Sequence, residues 1–181
     1  HGRFLLGCNI LQKTDTISTI QVFSNIFREY GMPNAIRTDN GSPFAARGIA
    51  GLSRLSVWWL KLGIHLERIE TGKPQQNGRH ERIHRTLKQC TALPAHSSLE
   101  AQQKAFDDFR REYNYERPHE ALDNKFPSEL YKKSKRPFPE KLNEVEYPTN
   151  MDIHIVSELG DIRYEVHRVF ISSALAGEPI A

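Results

Sequence analysis

The sequence predicts an α/β fold built on a parallel sheet, and three observations carry this. Short apolar stretches alternate with longer ones of helical period, in the order strand, helix, strand, helix, strand. The first stretch, residues 3–11 (RFLLGCNIL), is almost continuously apolar, as expected for a strand covered on both faces. Turn residues mark the joints: Gly31 with Pro33, then Asp39-Asn40-Gly41, then Gly63.

Each element follows from local rules. Beyond residues 3–11, Asp15 and Thr16 can cap a helix whose apolar positions Ile17, Ile20, Phe23, Ile26, Phe27 and Tyr30 share one face. Gly31 ends that helix and Pro33 prevents its resumption. Residues 35–38 are a short strand that turns at once through Asp39-Asn40-Gly41. Residues 53–62 read as a buried helix containing Trp58 and Trp59, and residues 64–69 as a further strand. A helix over 77–90 and a long amphipathic helix over about 98–113 complete the core.

After Leu130 the character changes. Residues 132–150 are rich in lysine and proline, with Pro137, Pro139 and Pro148 interrupting any regular element, and read as a linker. Residues 151–171 alternate around Glu158-Leu159-Gly160-Asp161. This predicts a hairpin with Ile153 and Ile155 on one arm and Ile162, Tyr164 and Val166 on the other. A lone hairpin is marginal, so it either begins a small β-barrel or docks on the core. The expected division is a core over 1–131, the linker over 132–150, and the hairpin or small barrel over 151–181.

Composition narrows the function classes. A chain of 181 residues makes one domain of ordinary size with a small appendage. Its formal net charge is only +3, but the charge is uneven: residues 61–90 hold seven Lys/Arg against three Asp/Glu. Local clustering of this kind is the stronger nucleic-acid signal. Cys8 and Cys90 alone make no disulfide framework, so a reducing cytoplasm is the default. The longest apolar run is too short to span a membrane and no signal peptide precedes it, so no membrane partner is expected.

The chemistry concentrates in residues 71–88 (TGKPQQNGRHERIHRTLK). A turn-forming Gly-Lys-Pro leads through Asn77-Gly78 into a helix that carries Glu81 among Lys73, Arg79, Arg82, Arg85 and Lys88. A carboxylate set among positive groups suits an enzyme that holds a metal ion against nucleic acid: the cations meet phosphates and the acid meets the metal. His80-Glu81-Arg82-Ile83-His84 also spells the zinc-hydrolase signature H-E-x-x-H. Physics argues against that reading. Arg79, Arg82 and Arg85 would repel a dication, and a third ligand would have to come from Asp107, Asp108, Glu112 or His119, none in a recognisable motif. Solvated histidines, or histidines contacting phosphate, are the simpler account. Asp39, just beyond a predicted parallel strand, stands where open α/β sheets place their sites. Its alternative is plain turn chemistry. Paired with Glu81 it could supply oxygen ligands to one hard cation.

Residues 35–44 (AIRTDNGSPF), 73–82 (KPQQNGRHER) and 113–119 (YNYERPH), in this order, resemble the integrase core of bacterial insertion-sequence transposases. That group belongs to the retroviral-integrase-like family with a ribonuclease H-like fold. The likeness runs from Arg3 to about Tyr131, with a weaker echo in the terminal hairpin. It implies that Asp39 is the second acid and Glu81 the last acid of an Asp-Asp-Glu triad, both metal ligands. It further implies that Asn77 and Gly78 belong to a mobile loop beside the site, and that residues 113–119 are mainly structural, closing the last helix. Lys73, Gln76, Asn77, Arg79, Arg82, Arg85 and Lys88 are the expected DNA-binding set.

Two departures bear on activity. Between Asp39 and Glu81 lie 41 residues, several more than the common family spacing, and a Gly-rich insertion over 47–55 accounts for the excess. The family's first acid has no counterpart here, because nothing in this chain precedes the strand at 3–11. Asp15 follows that strand as a helix cap and is not a replacement. The chain is therefore expected to be truncated at its N-terminus and inactive alone. Without the leading strands, residues 3–11 should either pair directly with 35–38 or flank a gap filled by another polypeptide.

The resemblance implies Mg2+ (or Mn2+) as cofactor, DNA as partner (transposon ends and target), a homo-oligomeric working form and a bacterial cytoplasmic location. The implied reaction is phosphodiester cleavage and DNA strand transfer by in-line attack. A non-catalytic DNA-binding remnant, a ribonuclease H-type nuclease and the zinc hydrolase are the alternatives. Metal-dependent nicking, cleavage of RNA–DNA hybrids and stoichiometric zinc would tell them apart.

Overall fold

The computed structural model describes residues 2–39, 41–45, 51–68, 78–142 and 146–181; within these, the side chains of Arg79 and His80 are not described. The chain divides into two compact units. One comprises His1–Lys13, Gln21–Met32 and Glu70–Phe138; the other comprises Thr14–Ile20, Pro33–Ile69 and Pro139–Ala181. Helix α1 (Thr16–Tyr30) runs through both. Its start is fixed as expected: Asp15 Oδ1 accepts from the Ser18 amide at 2.8 Å, and the Asp15 carbonyl accepts from the Thr19 hydroxyl at 2.7 Å.

In the second unit, β1 (Ala35–Thr38) and β2 (His65–Arg68) pair in parallel, from Ala35 opposite His65 to Thr38 opposite Arg68. Helix α2 (Arg54–Lys61) is the crossover between them. Ser53 caps it reciprocally: the Ser53 Oγ accepts from the Ser56 amide at 3.1 Å and the Ser56 Oγ accepts from the Ser53 amide at 2.7 Å. The apolar side of α2 closes the core, where Leu55 and Trp59 are wholly buried with Ile64 and Val57, and Phe44 lies parallel to the Trp59 ring at 6.1 Å. On the open side, Arg37 and Glu67 face each other across the ladder and form an ion pair of 2.8 Å.

The first unit is helical. It is built on α3 (Gly78–Thr91), α4 (Leu99–Tyr115) and the short α5 (Pro127–Leu130). Gln102 joins the first two: its side-chain amide donates to the Thr91 carbonyl at 2.7 Å and its oxygen accepts from the His96 amide at 3.0 Å. Gly31 ends α1 with φ +76, and a Cβ there would meet the Ser134 carbonyl oxygen at 2.5 Å. The segment after α5 is held against that turn: the Ser134 amide donates to Tyr30 O at 3.0 Å and the Met32 amide to Arg136 O at 2.8 Å.

Residues 3–11 correct the expectation of a strand. They run without regular structure and join no ladder; β1 pairs with β2. Several of their backbone groups are met by side chains of α4. Asn114, buried, accepts from the Leu5 amide at 2.8 Å and donates to the Leu5 carbonyl at 2.9 Å, the two bonds a neighbouring strand would have made. Arg110 donates to the Leu6 carbonyl at 2.9 Å, and Gln103 donates to Cys8 O at 2.9 Å and accepts from the Ile10 amide at 3.0 Å. Among the described residues, the direct pairing with 35–38 is not made. The segment sits deep enough that burial pushes the Cys8 thiol up to about 11, eased by Arg110 and reinforced by Asp107.

The terminal strands also differ from expectation. The hairpin forms one step later, with β4 (Asp161–Tyr164) antiparallel to β5 (His167–Phe170) and the turn at Glu165-Val166. The arm holding Ile155, β3 (His154–Ile155), pairs instead with β6 (Pro179–Ile180). Residues 157–161 form a tight turn in which the Ser157 amide donates to Asp161 O at 2.8 Å. Gly160, at φ +85, brings its backbone so close to Ser173 that a Cβ would stand 2.5 Å from the Ser173 nitrogen. This piece docks on α2: Lys61 and Glu178 make a half-buried ion pair of 2.8 Å, and Val156 is buried.

Candidate functional site

Asp39 follows β1 directly, in the second unit, and is exposed. Its Oδ1 accepts the Gly41 amide at 3.0 Å, and a turn closes behind it through Phe44 N to Gly41 O at 2.9 Å. The carboxylate is thus oriented by the turn that its sequence context suggested, and it faces water.

Glu81 lies in the first turn of α3, in the first unit, and is also exposed. A carboxylate there is favoured by the helix N-terminus. Helical spacing places Glu81, Arg85 and Lys88 along one outward stripe, while Ile83, Thr86 and Leu87 turn inward and Thr91 is buried. Arg82 stands beside that stripe, with its Nε donating to the Gly78 carbonyl at 3.2 Å. Of the other expected DNA contacts, Lys73, Gln76 and Asn77 lie outside the described residues, as does the side chain of Arg79. Both carboxylates offer the hard oxygen donors that a small dication takes. Among the described residues no group of three His, Cys, Asp or Glu is placed to hold a metal ion.

One concave feature of the first unit went unread in the sequence. A cavity of about 620 Å3 lies beside α3, with Arg3, Arg82 and Arg117 around it and Tyr113 and His119 in its wall. The Tyr113–His119 pair is rigid: the rings meet edge to face at 4.5 Å, and His119 Nε2 lies 3.2 Å from the Tyr113 carbonyl. Burial raises the Tyr113 hydroxyl above its ordinary value, and the Arg3 and Arg117 guanidiniums pull it back. The 113–119 motif therefore does close the last helix, with Asn114 clasping Leu5, and it also forms a wall. Arg3 and Arg117 could be found only by folding, since they lie at opposite ends of the unit's sequence.

Residues 62–127 match the integrase core domain family, a span that includes the H-E-x-x-H letters. A 101-residue stretch is 33% identical to an uncharacterised 31.7 kDa protein of insertion element IS407 from Burkholderia multivorans, covering 55% of this chain and 34% of that protein. The chain thus spans about a third of that relative's length. Among solved structures, the catalytic core domain of BIV integrase superposes with a TM-score of 0.51 at 21% identity, over 68% of this chain and 74% of that one. A simian T-cell lymphotropic virus intasome in complex with PP2A regulatory subunit B56 gamma superposes at 0.53 and 16%, over 94% of this chain and 66% of that one. The fold is that of integrase catalytic cores, ribonuclease H-like and mixed α/β, and part of the chain is similar to insertion-element proteins. The integrase core family depends in general on a divalent metal. Among the described residues no helix is long and apolar enough to cross a membrane.

Proposed function

We propose that this chain is the integrase-core portion of an insertion-element transposase, acting on DNA by divalent-metal phosphodiester cleavage and strand transfer. The observation that carries the reading is the ordered conjunction of Asp39 after β1 with Glu81 and a basic stripe on α3, inside an integrase-core fold. Asp39 and Glu81 are the acids of this chemistry, an assignment that rests on the motifs carrying them. Asp39 and Glu81 would hold Mg2+ (or Mn2+), which when bound would supply activation of a water or a DNA 3′-hydroxyl and stabilisation of the leaving oxygen. The Gly41 amide holds the Asp39 carboxylate in one orientation, and Glu81 stands in the first turn of α3. Arg82, Arg85 and Lys88, with Lys73, Gln76, Asn77 and Arg79, contact the phosphate backbone. The partners are transposon ends and target DNA, bound by a homo-oligomer in a bacterial cytoplasm.

The test uses the full chain with labelled duplex DNA in Mg2+, Mn2+ or Ca2+, read both as nicking and as Mn2+ binding by titration calorimetry. Asp39→Asn and Glu81→Gln should each weaken Mn2+ binding, and abolish whatever metal-dependent nicking the chain supports, while leaving DNA affinity intact. Nicking that persists in Glu81→Gln would sink the assignment. DNA binding with neither nicking nor Mn2+ binding in the wild type would favour a non-catalytic DNA-binding role.

A further inference from the structure

The cavity beside α3 combines two kinds of surface that few ligands satisfy together. Arg3, Arg82 and Arg117 border it, and among the described residues none of the three makes an ion pair. Against them stands a single lining carboxylate, Glu120, so the cavity is net positive. Its remaining lining is mostly carbon, with the edge-to-face Tyr113–His119 pair as one wall. The opposite side is held in place as well. Phe4 stacks on Tyr131 at 4.3 Å, and Asn114 fixes Leu5 from behind, so the backbone that carries Arg3 is anchored. A bare inorganic anion would satisfy the guanidiniums and leave the aromatic wall uncovered. An apolar ligand would leave three charges without partners.

We propose that this cavity binds one splayed nucleotide of single-stranded DNA, its phosphate on Arg3, Arg82 and Arg117 and its base against the Tyr113–His119 wall. Guanidiniums that track a backbone beside aromatic rings that accept a base face are the recurrent chemistry of single-strand recognition. The volume of about 620 Å3 lies within the range that small ligands occupy, about 300–1,000 Å3. It has room for one nucleotide. Arg82 follows Glu81 on α3, so the nucleotide is held next to an acid proposed for the chemistry. The inference rests on the reading of the chain as a DNA-processing protein and adds that a strand is opened locally at the site.

Fluorescence anisotropy of the full chain would be read on a labelled dT strand, the matching uridine RNA strand and a blunt duplex at one salt concentration. Arg117→Ala and Arg3→Ala, both at exposed positions, should each weaken binding to the DNA strand about tenfold and leave duplex affinity within about twofold. Tyr113→Leu should cost at least about fivefold on the strand. A 2-aminopurine placed in the strand should change its emission on binding to the wild type and lose that change in Tyr113→Leu. If that variant fails to fold, the arginine variants and the wild-type emission change still decide. Equal losses on strand and duplex, unaltered strand binding, or tighter binding of RNA than of DNA would each overturn the single-nucleotide site while leaving the DNA reading standing. A wild type that binds no DNA at all would overturn that reading and this inference together.

Discussion

At the scale of single residues, Asn114 is the most consequential side chain outside the proposed chemistry. Its amide makes both backbone bonds of Leu5 from a position that is only 2% exposed. Asn114→Ala would leave a part-buried N–H and C=O of Leu5 without their partner, at a cost of about 1–3 kcal/mol. Urea unfolding should register this as a lower midpoint with little change in slope. Asn114→Asp sharpens the test because its sign depends on pH. A protonated aspartate reproduces both bonds, whereas an ionised one loses the donor and buries a charge. The folded-state pKa of that carboxyl would be raised, so stability would be retained below its unfolded value of about 4 and lost as pH rises through the folded one. A midpoint for Asn114→Asp that did not move between mildly acidic and alkaline buffer would refute the account of this contact.

At the scale of elements, the two serine caps make a matched comparison. Ser53 and Ser98 each accept a bond from the amide three residues on, at 3.1 Å in both cases. Ser98 is exposed, and its side chain otherwise meets the exposed Glu100 carboxylate. Ser53 is buried, its hydroxyl also reaches the Phe44 carbonyl at 3.2 Å, and its amide is held by Ser56. Capping serines are worth about 0.5–2 kcal/mol. Ser98→Ala should fall at the low end of that range and Ser53→Ala at or above the top, because α2 is the crossover of the only parallel ladder among the described residues. Equal losses in thermal or urea unfolding would show that burial adds nothing to this cap. The terminal hairpin is the opposite case: every residue of β5 is exposed, and the hairpin is attached through Gly160 and its hydrogen bonds to Ile171 and Ser172.

For the molecule as a whole, the modest net charge of +3 conceals the basic stripe of α3. Exposed charges spread evenly would give weak, long-range attraction; a stripe gives discrete phosphate contacts, each releasing counterions. Duplex affinity should therefore fall steeply with salt. Replacing both Arg85 and Lys88 with Ala should lower the slope of log affinity against log salt by about 1.8, roughly 0.9 per phosphate. An unchanged slope would move the duplex path to another face.

The sequence by itself determined helices α1 to α4, the β1–α2–β2 unit and the identity of the acidic and basic residues proposed for the site. These are local matters: helical period, a serine or aspartate at a cap, and a glycine after the last turn act within a few residues of themselves. The three ordered motifs likewise pointed to the integrase-core fold that the structural neighbours share. Only the tertiary structure decided the rest. An apolar run such as residues 3–11 reads alike whether its amides meet another strand or the side chains of Asn114, Arg110 and Gln103, which lie some hundred residues away. The hairpin slipped because both registers alternate equally well along 151–171. The choice fell to the close approach of Gly160 to Ser173 and to the pairing of β3 with β6. Arg3, Arg82 and Arg117 meet around one cavity because α3, α4 and the segment at 3–11 pack together, and no spacing along the chain records that meeting.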